Sequence, residues 1–152
     1  MTRAEQAKQN FLNGYNCSQA IAFAFADELG VPEETLKAVF LPMGGGMARL
    51  RQMCGAVSGA AMCAGLLFPS YTKNEMYALV QEIARRFKEK NGSFNCLELL
   101  TGAGIKTDCS PVAEERTGEY YKKRPCPDLV ADAAGILEQV CIERGRLIGK
   151  TE

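Results

Sequence analysis

Four cysteines, Cys17, Cys54, Cys96 and Cys126, stand where the local pattern places a helix start, in a chain with seven cysteines and no histidine. A helix start presents unpaired backbone N–H groups and about half a positive charge, which favours a thiolate or an anionic centre beside it. Thiols so placed suit metal binding or redox work. There is no Cys-x-x-Cys pair, so no single knuckle can hold a metal in the manner of a zinc finger or a ferredoxin. The nearest two, Cys54 and Cys63, lie nine residues apart, on opposite faces of any one helix. A shared site must therefore be assembled from separate helices, and spacing alone does not establish that arrangement.

The remaining composition narrows the chemistry. The absence of histidine removes histidine-ligated haem and the commonest general base. Eighteen basic residues balance eighteen acidic ones, so no bulk field draws the chain to nucleic acid or an anionic membrane. The polar start Met1-Thr-Arg-Ala-Glu lacks the apolar core of an export signal, which gives a cytoplasmic expectation. Thiols are kept reduced there, so metal or redox roles outrank structural disulfides. The Gly44-Gly45-Gly46 run lacks the Gly-Lys-Ser/Thr ending of a phosphate loop. Basic stretches at 85–90 and 120–124 read as solvated faces, the second also as a landing place for an acidic redox partner. Glu33-Glu34 and Glu114-Glu115 read as helix-start acids.

The elements that must position these residues are helical nearly throughout. Thr2…Glu5 and Thr72…Glu75 have the capping-box form, predicting helices over 2–12 and 74–89. Asn16 caps a helix through Cys17, Ile21, Phe25 and Leu29, closed by Gly30. Pro32, Glu33 and Glu34 open another that runs to Phe40 before Pro42 and the glycines break it. Residues 54–68 alternate small side chains at four-residue spacing: Ala56, Ala60 and Ala64, with Gly55, Gly59 and Cys63 beside them. Such ridges let backbones approach closely, and glycines weaken an isolated helix, so this one reads as the central, buried helix. It could also pair with a second copy as a homodimer. Ser93 is a cap for a helix through Cys96 and Leu100, a helical segment is expected before Gly118, and Pro127 starts the last helix with Cys126 at its cap. Residues 145–152 read as frayed.

The segments Asn16-Cys17-Ser18-Gln19-Ala20, Gly44-Gly45-Gly46-Met47-Ala48-Arg49, Cys54-Gly55-Ala56-Val57-Ser58-Gly59, Phe94-Asn95-Cys96-Leu97 and Cys126-Pro127-Asp128-Leu129 resemble, in order and spacing, the redox-active C_GCAxxG_C_C family. The resemblance implies an iron–sulfur cluster held by Cys17, Cys54, Cys96 and Cys126. It also implies that Gly44 to Gly46 bring backbone donors near it, that Gly55 leaves room beside Cys54, and that Arg49 or Arg51 offsets its negative charge. The stretch Leu50-Arg51-Gln52-Met53 is bulkier and more basic than the family's usual one.

The expected fold is all-α: one domain over residues 1–152, a bundle of about five to seven helices around 54–68. The expected function is redox, an iron–sulfur protein that transfers electrons to and from a redox partner protein without nucleic acid or membrane insertion. Two alternatives stay open: a thiol/disulfide oxidoreductase using two of these cysteines, and a module folded around structural zinc. Cys63 and Cys141, inside apolar stripes, read as core residues. Cys109, in the loop Asp108-Cys109-Ser110-Pro111, is an accessible thiol that could serve as a spare ligand or resolving thiol.

Overall fold

The computed structural model describes residues 1–149. Their helical segments are α1 (Arg3–Leu12), α2 (Cys17–Ala24), α3 (Ala26–Leu29), α4 (Glu33–Phe40), α5 (Gly44–Met47), α6 (Gly55–Leu67), α7 (Lys73–Asn91), α8 (Cys96–Gly102), α9 (Gly118–Lys123) and α10 (Cys126–Glu143). A 3₁₀ turn at Leu41–Met43 leads into α5. The protein is all-α; among the described residues the one strand-like feature is an isolated antiparallel bridge between Met53 and Asn95. Seven helices run for seven residues or more, in line with the five to seven expected, and the shorter segments raise the total. In α5 Gly45 and Gly46 take left-handed dihedrals, so it is a tight turn and not a regular helix.

Local chemistry sets most boundaries. Thr2 and Thr72 cap α1 and α7 with their hydroxyls while Glu5 and Glu75 reach back to the capping N–H groups. Along α7, Leu79, Ile83 and Phe87 recur every four residues and form its buried stripe. The opposite face carries Arg85 paired with Glu89, the solvated face expected of 85–90.

α6 is buried as predicted and packs against α2, α7 and α10. Its Ala56, Ala60 and Ala64 are fully buried. The small ridge is consumed within the chain: a methyl group on Gly59 would stand 2.9 Å from the Ser18 carbonyl oxygen and 3.0 Å from the Ser18 Cα. α2 is equally central, touching α1, α4, α6 and α10.

Three expectations are corrected. The helix through Cys17 and Leu29 breaks at Phe25, where the buried Arg3 guanidinium donates to the Ala24 carbonyl (2.6 Å) and also pairs with Asp27 of α3. Phe25 and Leu29 remain in the core across the break. Asn95, not Ser93, caps α8; the Ser93 hydroxyl instead accepts from the Asn95 N–H and donates to the Glu98 carboxylate. The helical segment expected before Gly118 instead begins at that residue, because Thr117 supplies the cap. Past α10 the described part of the tail lies outside any helix, with Leu147 exposed, and is tethered at Arg146 and Gly149. Arg146 donates to the Leu67 carbonyl and lies 3.6 Å from Glu28, whose carboxylate accepts the Gly149 N–H at 2.8 Å. Residues 150–152 of the tail expected to fray lie outside the described residues.

Candidate functional site

Each of the four cysteines opens a helix. Cys17, Cys96 and Cys126 are the first residues of α2, α8 and α10, and Cys54 is the cap of α6. Asn16 and Asn95 hold the starts behind Cys17 and Cys96 by accepting from Gln19 and Glu98 N–H groups. Pro125 and Pro127 flank Cys126, Pro127 at the second helical position, where a missing N–H costs nothing. All four thiols line one cavity of about 450 Å³. Cys54 is buried and the other three are half-buried.

Backbone pairing brings two of these starts side by side. The Cys54 N–H donates to the Phe94 carbonyl (2.8 Å) and the Cys96 N–H to the Gln52 carbonyl (2.6 Å), on either side of the Met53–Asn95 bridge. Glycines let the others approach. A methyl on Gly55 would stand 3.1 Å from Cβ of Cys17, one on Gly46 would stand 2.6 Å from Cβ of Cys96, and one on Gly44 would strike the Asn16 side chain.

The wall between Gly44 and Cys54 is conformationally costly. Gly45, Gly46, Met47, Ala48 and Arg49 have φ between 50° and 70°, and Arg51 has φ 60°. Each non-glycine residue so placed costs about 1–2 kcal/mol. The turn is fastened by Arg51 N–H to the Gly45 carbonyl and Gln52 N–H to that of Gly46. Its effect is to aim the Arg51 guanidinium at the cavity: Nη1 lies 3.8 Å from Cys96 Sγ, and Nε donates to the Asp108 carbonyl at 3.2 Å.

Charge around the cavity is one-sided. Arg49, Arg51, Arg116 and Arg124 line it with a single carboxylate, Glu114. Glu114 pairs with Arg124 and lies 3.5 Å from Arg49 and 4.0 Å from Arg51. Arg49 also grips the covering loop, donating to the Ser110 and Val112 carbonyls. Arg116 donates to the Phe11 and Tyr15 carbonyls and stacks 4.4 Å over the Phe11 ring.

The thiols feel this asymmetry. Cys17 donates its S–H to Cys126, which holds Cys126 well below the ordinary thiol range; Arg124, Arg116 and Arg51 reinforce the effect. The same hydrogen bond, with burial, raises Cys17. Burial pushes Cys54 up to about 12. Burial raises Cys96 as well, against the lowering contact from Arg51. Within this pair Cys126 is the thiol that gives up its proton more readily. Among the described residues, no three His, Cys, Asp or Glu side chains are gathered tightly enough to grip one metal ion as they stand.

A family model described as "Putative redox-active protein (C_GCAxxG_C_C)" matches residues 15–140. The chain belongs to the C_GCAxxG_C_C family. No curated protein and no solved structure matches it. In this C_GCAxxG_C_C protein the matched region takes in all four cysteines of the cavity. Its Cys54-Gly55-Ala56-Val57-Ser58-Gly59 element has a packing reason for both glycines, since Gly55 and Gly59 face Cys17 and Ser18 of α2.

The remaining cysteines fall elsewhere. Cys63 and Cys141 are buried in the core as expected, and Cys109 is exposed and outside the cavity lining. Glu114 is a loop residue bound to arginines and not a helix-start acid. Arg124, read as part of a solvated face, is buried beneath Tyr120, its guanidinium 4.7 Å from that ring. Arg116 and Tyr120 were not foreseen either. Their available signal was arginine and tyrosine interleaved just before Cys126.

Proposed function

We propose that the protein carries electrons through an iron–sulfur cluster held by Cys17, Cys54, Cys96 and Cys126. The observation that supports this most is four helix-start cysteines on one cavity whose charged lining is four arginines against one glutamate. The donor set suits the group: four thiolates are the common ligand set for such clusters and give a net-negative centre, which arginines and helix starts favour. The glycine walls at Gly46 and Gly55 also keep Cβ atoms from filling the space between the cysteines. When bound, the cluster would supply an electron-accepting and electron-donating centre.

The chain's own residues do the rest. Arg51, Arg116 and Arg124 offset the charge of the thiolates, and the 103–117 loop, fastened through Arg49, covers one side and limits water. Met47, Leu50 and Leu97 stand exposed on the cavity-wall segments and offer an apolar approach for a redox partner protein. A cytoplasmic setting, where thiols stay reduced, suits this role. The test is a visible spectrum of protein purified without oxygen. Broad absorbance that bleaches on reduction supports the proposal; a protein still colourless after reconstitution with iron and sulfide, or one loaded with stoichiometric zinc, contradicts it.

One observation favours a second reading. Cys17 and Cys126 line the same cavity and each shifts the other's titration; closing a disulfide between them would pass two electrons and two protons to a disulfide-bearing partner. Mass spectrometry of alkylated protein poised in thiol/disulfide buffers would show a reversible two-electron loss of both thiols without added metal.

A further inference from the structure

Arg51 and Glu114 are joined through the cavity wall in a way that the cluster reading does not use. Arg51 is 5% exposed, and a left-handed backbone angle of 60° fixes where its side chain departs. Its Nη1 is 3.8 Å from Cys96 Sγ, and its Nη2 is 4.0 Å from Glu114 Oε1. The same Glu114 oxygen pairs with Arg124 and lies 3.5 Å from Arg49. One carboxylate thus offsets three of the four cavity arginines, and it sits on the covering loop, with 41% of its side chain exposed.

A charge-assisted N–H···S contact to a ligand sulfur favours the more negative, reduced state of the centre and raises its potential. A carboxylate behind the donor acts in the opposite sense by neutralising the guanidinium. We infer that Arg51 raises and Glu114 lowers the reduction potential of the centre that Cys96 helps to hold. This inference rests on the proposed cluster. Both residues are positioning residues: they act through Cys96 Sγ and the neighbouring guanidinia.

The experiment is a potentiometric titration of the anaerobically reconstituted wild type, Arg51→Gln, Arg51→Lys and Glu114→Gln, with iron and sulfide counted in each. Arg51→Gln should lower the reduced-to-oxidised ratio about tenfold at a fixed potential, a shift of about 59 mV for a one-electron couple. Glu114→Gln should move the potential the other way, and Arg51→Lys, which keeps charge but loses the fork, should fall between Arg51→Gln and wild type. Opposite signs are a signature that simple loosening of the fold does not produce. Fully loaded variants with unchanged potentials, or with shifts of the same sign, overturn the inference and leave the cluster standing. If Arg51→Gln fails to load, the sign of the Glu114→Gln shift decides. A wild type that takes up no iron and sulfide overturns both.

Discussion

A methyl group on Gly55 would stand 2.9 Å from the Met43 carbonyl oxygen and 3.1 Å from Cβ of Cys17. The residue after Cys54 is thus small because the start of α2 lies against it, and two of the cavity cysteines owe their closeness to that missing side chain. Gly55→Ala should cost about 1–3 kcal/mol through overpacking, read as a lower denaturant midpoint at unchanged slope. Gly46→Ala should cost more. Its φ of 69° disfavours any side chain, and its methyl would meet Cys96 Cβ and the Gln52 backbone nitrogen at 2.6 Å.

Much of this was legible in local sequence. The capping pairs Thr2/Glu5 and Thr72/Glu75, the small-residue pattern of α6 and the helix-start placement of four cysteines are short-range signals, and the helices follow them. What was not legible depends on partners distant in sequence. Phe25 ends α2 where Arg3, more than twenty residues upstream, takes the Ala24 carbonyl. The left-handed run at Gly45 to Arg49 has no local propensity behind Met47 or Ala48; it is fastened by the Arg51 and Gln52 backbone and by the pairing of Gln52 with Cys96. Glu114 gave no sign of its role, since its charge matters only through Arg49, Arg51 and Arg124.

Arg3 should be a stability hot spot. It is fully buried, donates to the Ala24 carbonyl, pairs with Asp27 and has Glu138 at 3.9 Å. Removing a buried ion-pair partner costs about 3–5 kcal/mol; since Asp27 is half exposed, Arg3→Ala should fall at the low end, about 3 kcal/mol. Urea unfolding measures it.

The same pair sets a pH dependence. Hydrogen bonding to Arg3 lowers the Asp27 carboxyl below its ordinary 3.8. A depressed carboxyl stabilises the fold above its unfolded value and loses that contribution as pH falls through the folded one. The wild type should therefore lose stability below about pH 3.8 more steeply than Asp27→Asn. Thermal midpoints collected from pH 6 down to about 3 would compare the two.

Thiol reactivity should rank the cavity cysteines. In reduced, metal-free protein at neutral pH, Cys126 should be alkylated before Cys17 and Cys54, because its thiolate is favoured by the Cys17 hydrogen bond and three arginines while burial holds Cys54 up to about 12. Arg124→Gln should slow Cys126 severalfold by removing the cation that lowers it most among the three. Peptide mapping after timed alkylation gives the order, and equal rates at Cys126 and Cys54 would show that the charge asymmetry does not reach the sulfurs.

The most direct measurement is iron and acid-labile sulfide per chain in the wild type and seven single Cys→Ala variants, all isolated and reconstituted without oxygen. Matched iron and sulfide in the wild type, lost at Cys17, Cys54, Cys96 and Cys126 and retained at Cys63, Cys109 and Cys141, is the predicted result. A wild type without iron, or a loss pattern that ignores the cavity, would contradict the account.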